Sequence, residues 1–560
     1  MKKNLILTLF CLLMASAFCK PAKLPFSKGV NTFAFFYRED WCINQMPALN
    51  IYDEADFECL KSMGVDVVRL ACYFGYLMEP KITGVLSETV LKKLDEVCDW
   101  AEKNQIYLII DDHAWGAVED DEKSIKKIEE HLELLWPVLA KRYANRSEYI
   151  LYEIMNEPSW AISPSQWQKV QQKIINVIRE YDKKHSIIVT GPNCSCIDEL
   201  TQIKPYKDPN IIYTFHFYEP ALFSLQGDGT VDEDFSKASG IPFPYDKSRM
   251  PNIESKKGTW FNELWETYPQ DGTEKFIEKR IKKISDWAKK NKVNIFCGER
   301  GSVVTTDHSD RVAYNKAVTS VLEKYDIPYC VWTMDVGSGF FQGAEHGMIF
   351  PDDIDKEIVE SYGFSMPSSS AVAKTNVAIK SFPKAPYILY DGIVGKWSEQ
   401  LSVGNVKTTK LNDGHGECLH INYNSESQSN CYKITPPKLI ASEVKKENAS
   451  LKLSLSVKFT ELNQSFYVHF LDSDDGADHL PWRNTYAVKA SKASLGKWQS
   501  IEIPLSAAKE IGGTWSDIAQ KWYESESKFS WNQFTAIMFD FDNFDHKTGD
   551  VYIDDITLKK

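Results

Sequence analysis

The stretch Leu151-Tyr152-Glu153-Ile154-Met155-Asn156-Glu157-Pro158 is an apolar run that stops on an amide, a carboxylate and a proline. Proline removes a backbone donor and disfavours helical geometry in the residue before it, so Glu157 is placed where a buried strand gives way to a loop. An apolar floor behind such a carboxylate is expected to raise its pKa, while Asn156 beside it can hydrogen-bond a ligand without changing protonation state. Far downstream, Ile295-Phe296-Cys297-Gly298-Glu299-Arg300-Gly301 repeats the design. Two carboxyl groups, one protonated and one ionised, are what cleavage of a glycosidic bond through an oxocarbenium-like state requires.

Such a pair needs elements to hold it. From Lys28 to about Asp335, short apolar runs alternate with amphipathic stretches, the rhythm of parallel strands with crossover helices. The runs are Gly29–Phe33, Asp66–Ala71, Tyr107–Asp111, Tyr149–Met155, Ile187–Thr190, Ile211–Phe215, Val293–Cys297 and Tyr329–Thr333. Eight such units predict an α/β fold, a (β/α)8 TIM barrel, with helices over Thr89–Asn104 and Ser165–Lys183 among the crossovers. Barrel enzymes gather their active sites at the C-terminal ends of the strands, so polar residues are expected there. Arg69 is read as closing the second run, Asp111-Asp112-His113 the third, Asn156-Glu157 the fourth, His216-Phe217-Tyr218 the sixth, Glu299 the seventh and Trp332 the eighth. A carboxyl separation of about 5–5.5 Å would make the chemistry retaining. Glu299 would then be the nucleophile, with Arg69 holding it ionised and Tyr218 donating to it, and Glu157 the acid that later serves as base. Two long connections are expected to wall the cleft: Ala34–Asp53, with Phe35, Phe36, Tyr37 and Trp41, and Ala221–Gly272, with Trp260 and Trp265 as candidate sugar platforms.

The pattern changes further on. Ser365–Lys384 reads as a linker or domain edge, placed at 366–386, and from Tyr387 the runs are short and alternating, as in Leu451–Val457, Ser465–Leu471, Trp498–Ile503, Thr535–Phe541 and Val551–Leu558. An all-β sandwich is expected over 387–560. The first residues, Met1-Lys2-Lys3-Asn4 followed by an apolar run to Ala17 with Ala15-Ser16-Ala17, follow the order of a secretory leader, placed at 1–19, and export is expected. Phe18 occupies the position where lipid anchoring at Cys19 wants a small residue. No later run reaches the ~20 apolar residues a membrane span needs.

A chain of 560 residues with 78 acidic and 65 basic side chains, formal charge −13, and no basic block excludes a nucleic-acid footprint and favours an uncharged partner. Aromatic residues at 13% suggest exposed platforms on which sugars stack. Of twelve cysteines, ten lie beyond the leader. Cys72, Cys297 and Cys330 are expected as small buried residues, Cys194 and Cys196 lack zinc-site spacing, and Cys418 and Cys431 are candidates to staple neighbouring strands.

From about Lys28 to Phe364, within a catalytic domain placed at 20–365, the chain resembles the (β/α)8 glycoside hydrolases of family 5, the cellulase family, through Val67-Val68-Arg69-Leu70, Asp112-His113, Asn156-Glu157-Pro158, His216-Phe217-Tyr218, Gly298-Glu299 and Val331-Trp332. The resemblance implies that Glu157 is the acid/base and Glu299 the nucleophile, and that Arg69, His113, Asn156, His216, Tyr218 and Trp332 line the subsite of the sugar being cleaved. Arg300 departs from the aromatic that many members carry after the nucleophile. The implied activity is that of an exported, retaining endo-β-1,4-glucanase acting as a monomer on a polysaccharide, with no catalytic cofactor and no catalytic metal. β-Mannanase, xyloglucanase and xylanase are alternatives on the same scaffold, and a non-catalytic glycan-binding protein is the alternative of another class. The C-terminal part resembles a jelly-roll carbohydrate-binding module, with Trp482, Arg483, Tyr486, Trp515, Trp522 and Tyr523 as candidate sugar contacts. The same resemblance suggests a structural calcium, with Asp391 and Asp554 or Asp555 as oxygen ligands.

Overall fold

The computed structural model describes residues 23–36, 54–77, 84–86, 88–113, 122–158, 162–228, 233–253, 256–334, 339, 350–351, 354–375, 385–392, 398–403, 406–411, 415–424, 430–436, 438–472, 483–492, 495–510, 514–516, 521–523, 529–541 and 547–560. The leader and most of the first expected cleft wall, including Tyr37 and Trp41, lie outside the described residues.

Eight parallel strands close into a barrel in chain order: β1 (Lys28–Phe36), β2 (Val67–Cys72), β3 (Tyr107–Asp112), β4 (Ile150–Glu153), β5 (Ile187–Thr190), β6 (Ile211–Phe217), β7 (Asn294–Arg300) and β8 (Tyr329–Val331). Both faces of these strands are covered, which is why they read as continuous apolar runs instead of alternating ones. Inside, Val67, Ile109, Leu151, Ile188, Ile212, Phe296 and Cys330 form an apolar floor, closed from below by Phe26. Successive strand residues alternate faces, so the residues two further on, Arg69, Asp111 and Glu153, also point at the barrel axis and make a polar layer on that floor.

The outer faces pack against helices. Glu88–Asn104 buries Val90, Leu91, Leu94, Val97, Cys98 and Ala101 at three- and four-residue spacing. Pro164–Tyr181 begins with Ser163 and Gln166 capping each other's backbone, with Pro164 in the first turn, where no amide donor is needed. Its buried Trp167 donates Nε1–H to the Thr190 carbonyl at 3.0 Å and so locks the helix onto β5. Packing of the barrel continues beyond residue 365: Ser369–Val372 is helical, the Ser368 amide donates to Ser62 Oγ at 3.0 Å, and Lys374 pairs with Glu58.

Residues from Tyr387 onward form an antiparallel five-stranded sheet and an antiparallel six-stranded sheet. Phe466, Val468, Phe470, Ile537 and Phe539 of the first and Leu453, Leu455, Val457, Ile553 and Leu558 of the second bury one common core, which makes the domain a sandwich. Cys418 lies on Gly416–Asn424 of the six-stranded sheet and Cys431 on Cys431–Thr435 of the five-stranded one, so they do not sit on neighbouring strands as expected. The helix Lys438–Glu447 was not foreseen among the strands. Among the described residues no helix is long and apolar enough to cross a membrane.

Candidate active site

Arg69 is the hub of the polar layer. Its guanidinium is fully buried and its donors are directed in fixed geometry: Nε and Nη2 to the two oxygens of Glu153 at 2.7 and 2.8 Å, Nη1 to Glu299 Oε1 at 2.8 Å and Asn31 Oδ1 at 2.9 Å, and Nη2 to Asn156 Oδ1 at 2.9 Å. Asp111 Oδ2 stands 3.0 Å from the same Nη2. The planar fork of an arginine suits such multiple recognition, and a lysine ammonium could not reproduce it. Because Arg69 only donates, it fixes the carbonyl ends of both asparagines toward itself and leaves their NH2 ends as donors. Asn31 directs its own to the Gly298 and Val331 carbonyls at 2.9 and 3.2 Å, tying β1 to β7 and β8.

Two local devices aim the carboxylates. On β7 the pairing with β6 slips between Phe215 and His216, so that His216 faces Glu299. This bulge turns Glu299 toward the axis, although plain alternation from Phe296 would turn it away. Gly298 makes the bulge possible, since a Cβ there would stand 2.5 Å from Thr214 Oγ1 and 3.2 Å from His216 Nε2. On the β4 side Glu157 has φ 34°, a strained value for a residue with a side chain, just before Pro158. Its neighbours hold it there: the Asn156 amide donates to the Asp112 carbonyl at 2.9 Å, and the Pro158 carbonyl accepts from the Cys194 amide at 3.2 Å.

The two carboxyl groups meet at one ring. His216 Nδ1 is 2.6 Å from Glu157 Oε1 and 3.5 Å from Glu299 Oε2, and an oxygen of each glutamate and that nitrogen all lie within 4.8 Å of one another. Tyr218 Oη donates to Glu299 Oε2 at 2.8 Å. Burial, with Glu299 opposing it, pulls the His216 imidazole down to about 4. Burial likewise holds Tyr218 well above the ordinary phenol range, so it stays a donor. Glu299 is pushed above the usual carboxylate range by burial and by Glu157, against the pull of His216 and Arg69. Two carboxyl groups this close and this dry resist carrying two charges at once.

Beside them, His113 Nδ1 is bonded to Asp111 Oδ2 at 2.6 Å, and its ring stacks on Trp332 with centroids 5.1 Å apart and planes 11° off parallel. Burial and Arg69 lower His113 to about 4, so it is neutral above that pH, while burial raises the Asp111 carboxyl to about 7 against Arg69. Behind β3, Asp112 pairs with His131 at 2.7 Å.

All eight singled-out residues, Arg69, His113, Asn156, Glu157, His216, Tyr218, Glu299 and Trp332, thus belong to one connected group or its rim. Arg69 differs from expectation in depth. It is the third residue of β2, which runs on to Cys72, so it sits below the strand end and acts through Glu299 and Asn156. Sequence reading missed Asn31 and Glu153 as parts of the site, and placed Asp111 at the end of the third run without giving it a role. A signal was present for Glu153, since ionisable residues inside apolar strands are costly unless paired. Arg300, the departure from the family pattern, is fully buried between the Tyr329 and Tyr362 rings, 5.3 and 5.0 Å from their centroids, and bonds Thr319 and the Asn315 carbonyl on the far side of the strand. It therefore does not face the cleft. Trp260 is 44% exposed at the start of the helix Trp260–Asp271, whereas Trp265 is partly buried and stacks on Phe261 against the core.

In the sandwich, Tyr486 is partly buried against the core, and Arg483 is partly buried as well. Trp482 and the side chains of Trp515, Trp522 and Tyr523 lie outside the described residues. Asp554 and Asp555 gather with His415, without Asp391, their ligand atoms within 4.8 Å of one another.

Residues 23–338 match the family Cellulase (glycosyl hydrolase family 5). Among curated relatives, Endoglucanase C of Acetivibrio thermocellus is 27% identical over 289 residues, covering 50% of this chain and 82% of its own. Cellodextrinase A of Ruminococcus flavefaciens is 24% identical over 307 residues, covering 54% and 83%. Among solved structures, the cellulose synthase subunit Z of Clostridioides difficile superposes with a TM-score of 0.49 at 25% identity, covering 60% of this chain and 99% of its own. The family match takes in every residue of the group around Arg69 and more than half of the chain, and the chain belongs to the cellulase family, glycosyl hydrolase family 5.

Proposed function

We propose that the protein is an endo-acting β-1,4-glucanase that cleaves its substrate by double displacement with retention, Glu299 serving as nucleophile and Glu157 as acid/base. The observation that carries this reading is the approach of the two carboxyl groups to within 4.8 Å around one histidine. Inverting enzymes keep their carboxyl groups about 6.5–9.5 Å apart to admit a water, and retaining ones about 5–5.5 Å. Relatives named endoglucanase and cellodextrinase support a β-glucan as substrate.

The division of roles follows from partners. Glu299 receives donors on both oxygens, Arg69 Nη1 on one and Tyr218 on the other, so the negative charge of the pair belongs there. Glu157 pairs at 2.6 Å with Nδ1 of the neutral His216, an acceptor to which a protonated carboxyl can donate, so the proton of the pair is assigned to Glu157. In the first step Glu299 attacks the anomeric carbon while Glu157 gives its proton to the departing oxygen. In the second, Glu157, now ionised, takes a proton from the water that attacks the same carbon and releases Glu299. Asn156, with its NH2 left as donor, His113 and the Trp332 ring line the subsite of the sugar being cleaved.

Export through the leader, and a glycan-binding role for the sandwich, complete the reading. The charged, apolar and small-residue order of residues 1–19 supports the first, and the sandwich fold supports the second. The imidazole of His415 makes its cluster a poor match to the all-oxygen shell of calcium, and no calcium is assigned to it.

Purified polysaccharides test the reading. Wild-type protein is expected to shorten soluble β-1,4-glucan internally, with Glu299→Gln inactive. Equal activity of the two proteins would refute the assignment of Glu299, and sugar released only from mannan or xylan would overturn the choice of substrate.

A further inference from the structure

The same two glutamates and the histidine between them form a cation trap. We propose that Glu157, His216 and Glu299 bind a divalent transition-metal ion of the zinc class from the cleft, and that this reversibly shuts the enzyme off. The proposal goes beyond the hydrolytic reading and does not need the metal for catalysis.

The donor set is imidazole plus two carboxylates, which suits zinc or copper and not the harder magnesium or calcium. Ligand atoms about 2.0–2.2 Å from zinc stand about 3.3–3.6 Å apart in a tetrahedral site. The 3.5 Å between His216 Nδ1 and Glu299 Oε2 already meets that, and the 2.6 Å between the same nitrogen and Glu157 Oε1 must open by about an ångström. Three carboxyl groups, of Glu299, Glu153 and Asp111, surround the guanidinium of Arg69, and Glu157 stands beside Glu299 as a fourth, so the surroundings favour a further positive charge.

The second ring nitrogen supplies an independent observation. His216 is 6% exposed, and its Nε2 has no partner. Nor has Thr214 Oγ1, and both atoms border the space left by the missing Cβ of Gly298. A histidine that ligates through Nδ1 carries its proton on Nε2 and directs it to an acceptor, and the hydroxyl on that side is available to receive it. On binding, the ion replaces the proton shared by Glu157 and His216, which leaves to solvent. No covalent bond forms and no electron is transferred. A ligated Glu299 cannot attack and a ligated Glu157 cannot protonate, so the inhibition is competitive with glycan.

The test is titration calorimetry with zinc chloride on the full chain in a His415→Ala background, which removes the sandwich cluster. One saturable site is expected, lost when a soluble β-glucan oligosaccharide is present at saturation, with hydrolysis restored by chelator. Glu299→Gln, verified as folded by circular dichroism, is expected to weaken zinc binding at least about tenfold, the least that disturbing even a supporting partner of a metal ligand costs. Absence of saturable binding, or binding indifferent to both the oligosaccharide and the substitution, overturns the proposal. If the chelated enzyme still cleaves glucan in that case, only this inference falls. If the chelated enzyme cleaves no glycan, the hydrolytic reading falls whatever zinc does.

Discussion

One guanidinium decides the electrostatics of this site. Arg69 gives Glu153 two bonds and Glu299 and Asn156 one each, and so converts three separate strand ends into one rigid group. Breaking a buried pair leaves an uncompensated charge, so Glu153→Gln is expected to cost about 3–5 kcal/mol of barrel stability, measured by thermal unfolding. It should also lower kcat, because Arg69 would then be free to turn away from Glu299. Glu157→Gln is expected to slow cleavage of unactivated glucan by about 10²–10⁴-fold, and an aryl glucoside with a good leaving group much less, because only the first needs the proton. Asp111 gives a pH signature. Its folded value of about 7 stands above the ordinary carboxyl value, so the folded chain holds the extra proton, and Asp111 costs stability as pH rises from about 4 to 7. The stability of Asp111→Asn relative to wild type should therefore improve across that window by on the order of 4 kcal/mol, and level off above it. A flat difference in unfolding midpoints from pH 4 to 7 would contradict this. The reacting pair and its neighbours were legible in the sequence, because each polar residue closes an apolar run. Glu153 was not, because a carboxylate inside a run looks like part of the strand until the inward alternation from Arg69 is laid out in space, and Asp111 was legible as a strand end but not as a partner of Arg69.

At the scale of elements, the barrel aims its chemistry by two departures from regularity, the bulge before Glu299 and the positive φ of Glu157. All eight strands and the two helices read from periodicity are present, with ends displaced by a few residues at most. The depth of Arg69 was misread because an apolar run shows where a strand lies and not how far it continues past a charge. The bulge itself left only one trace in the sequence, the glycine before Glu299. Gly298→Ala is expected to destabilise the barrel by about 1–3 kcal/mol and to lower kcat, since the added methyl must displace Thr214 Oγ1, 2.5 Å from its position. Adding Thr214→Ala should return part of both losses. No effect of Gly298→Ala on unfolding or turnover would show that the bulge does not depend on glycine.

Among the described residues there are three apolar clusters, one under the barrel helices, a small one inside the barrel and one between the sheets of the sandwich. The all-β class of the sandwich was legible from short alternating runs. Its helix Lys438–Glu447 and the assignment of Cys418 and Cys431 to different sheets were not, because strand order is set by long-range pairing. A chain ending after residue 375 is expected to cleave soluble β-glucan at the full rate and to lose retention on insoluble glucan, as a pull-down with each chain would reveal. Undiminished retention would leave the sandwich a structural role. The central claim is that Glu157 and Glu299 are spaced to form and then break a bond to the sugar, and stereochemistry reads this most directly. In proton NMR of a soluble β-glucan digested by the intact enzyme, the new reducing ends should appear first as the β-anomer and drift to the equilibrium mixture. First appearance as the α-anomer would mean inversion, and a water standing where Glu299 is placed as nucleophile.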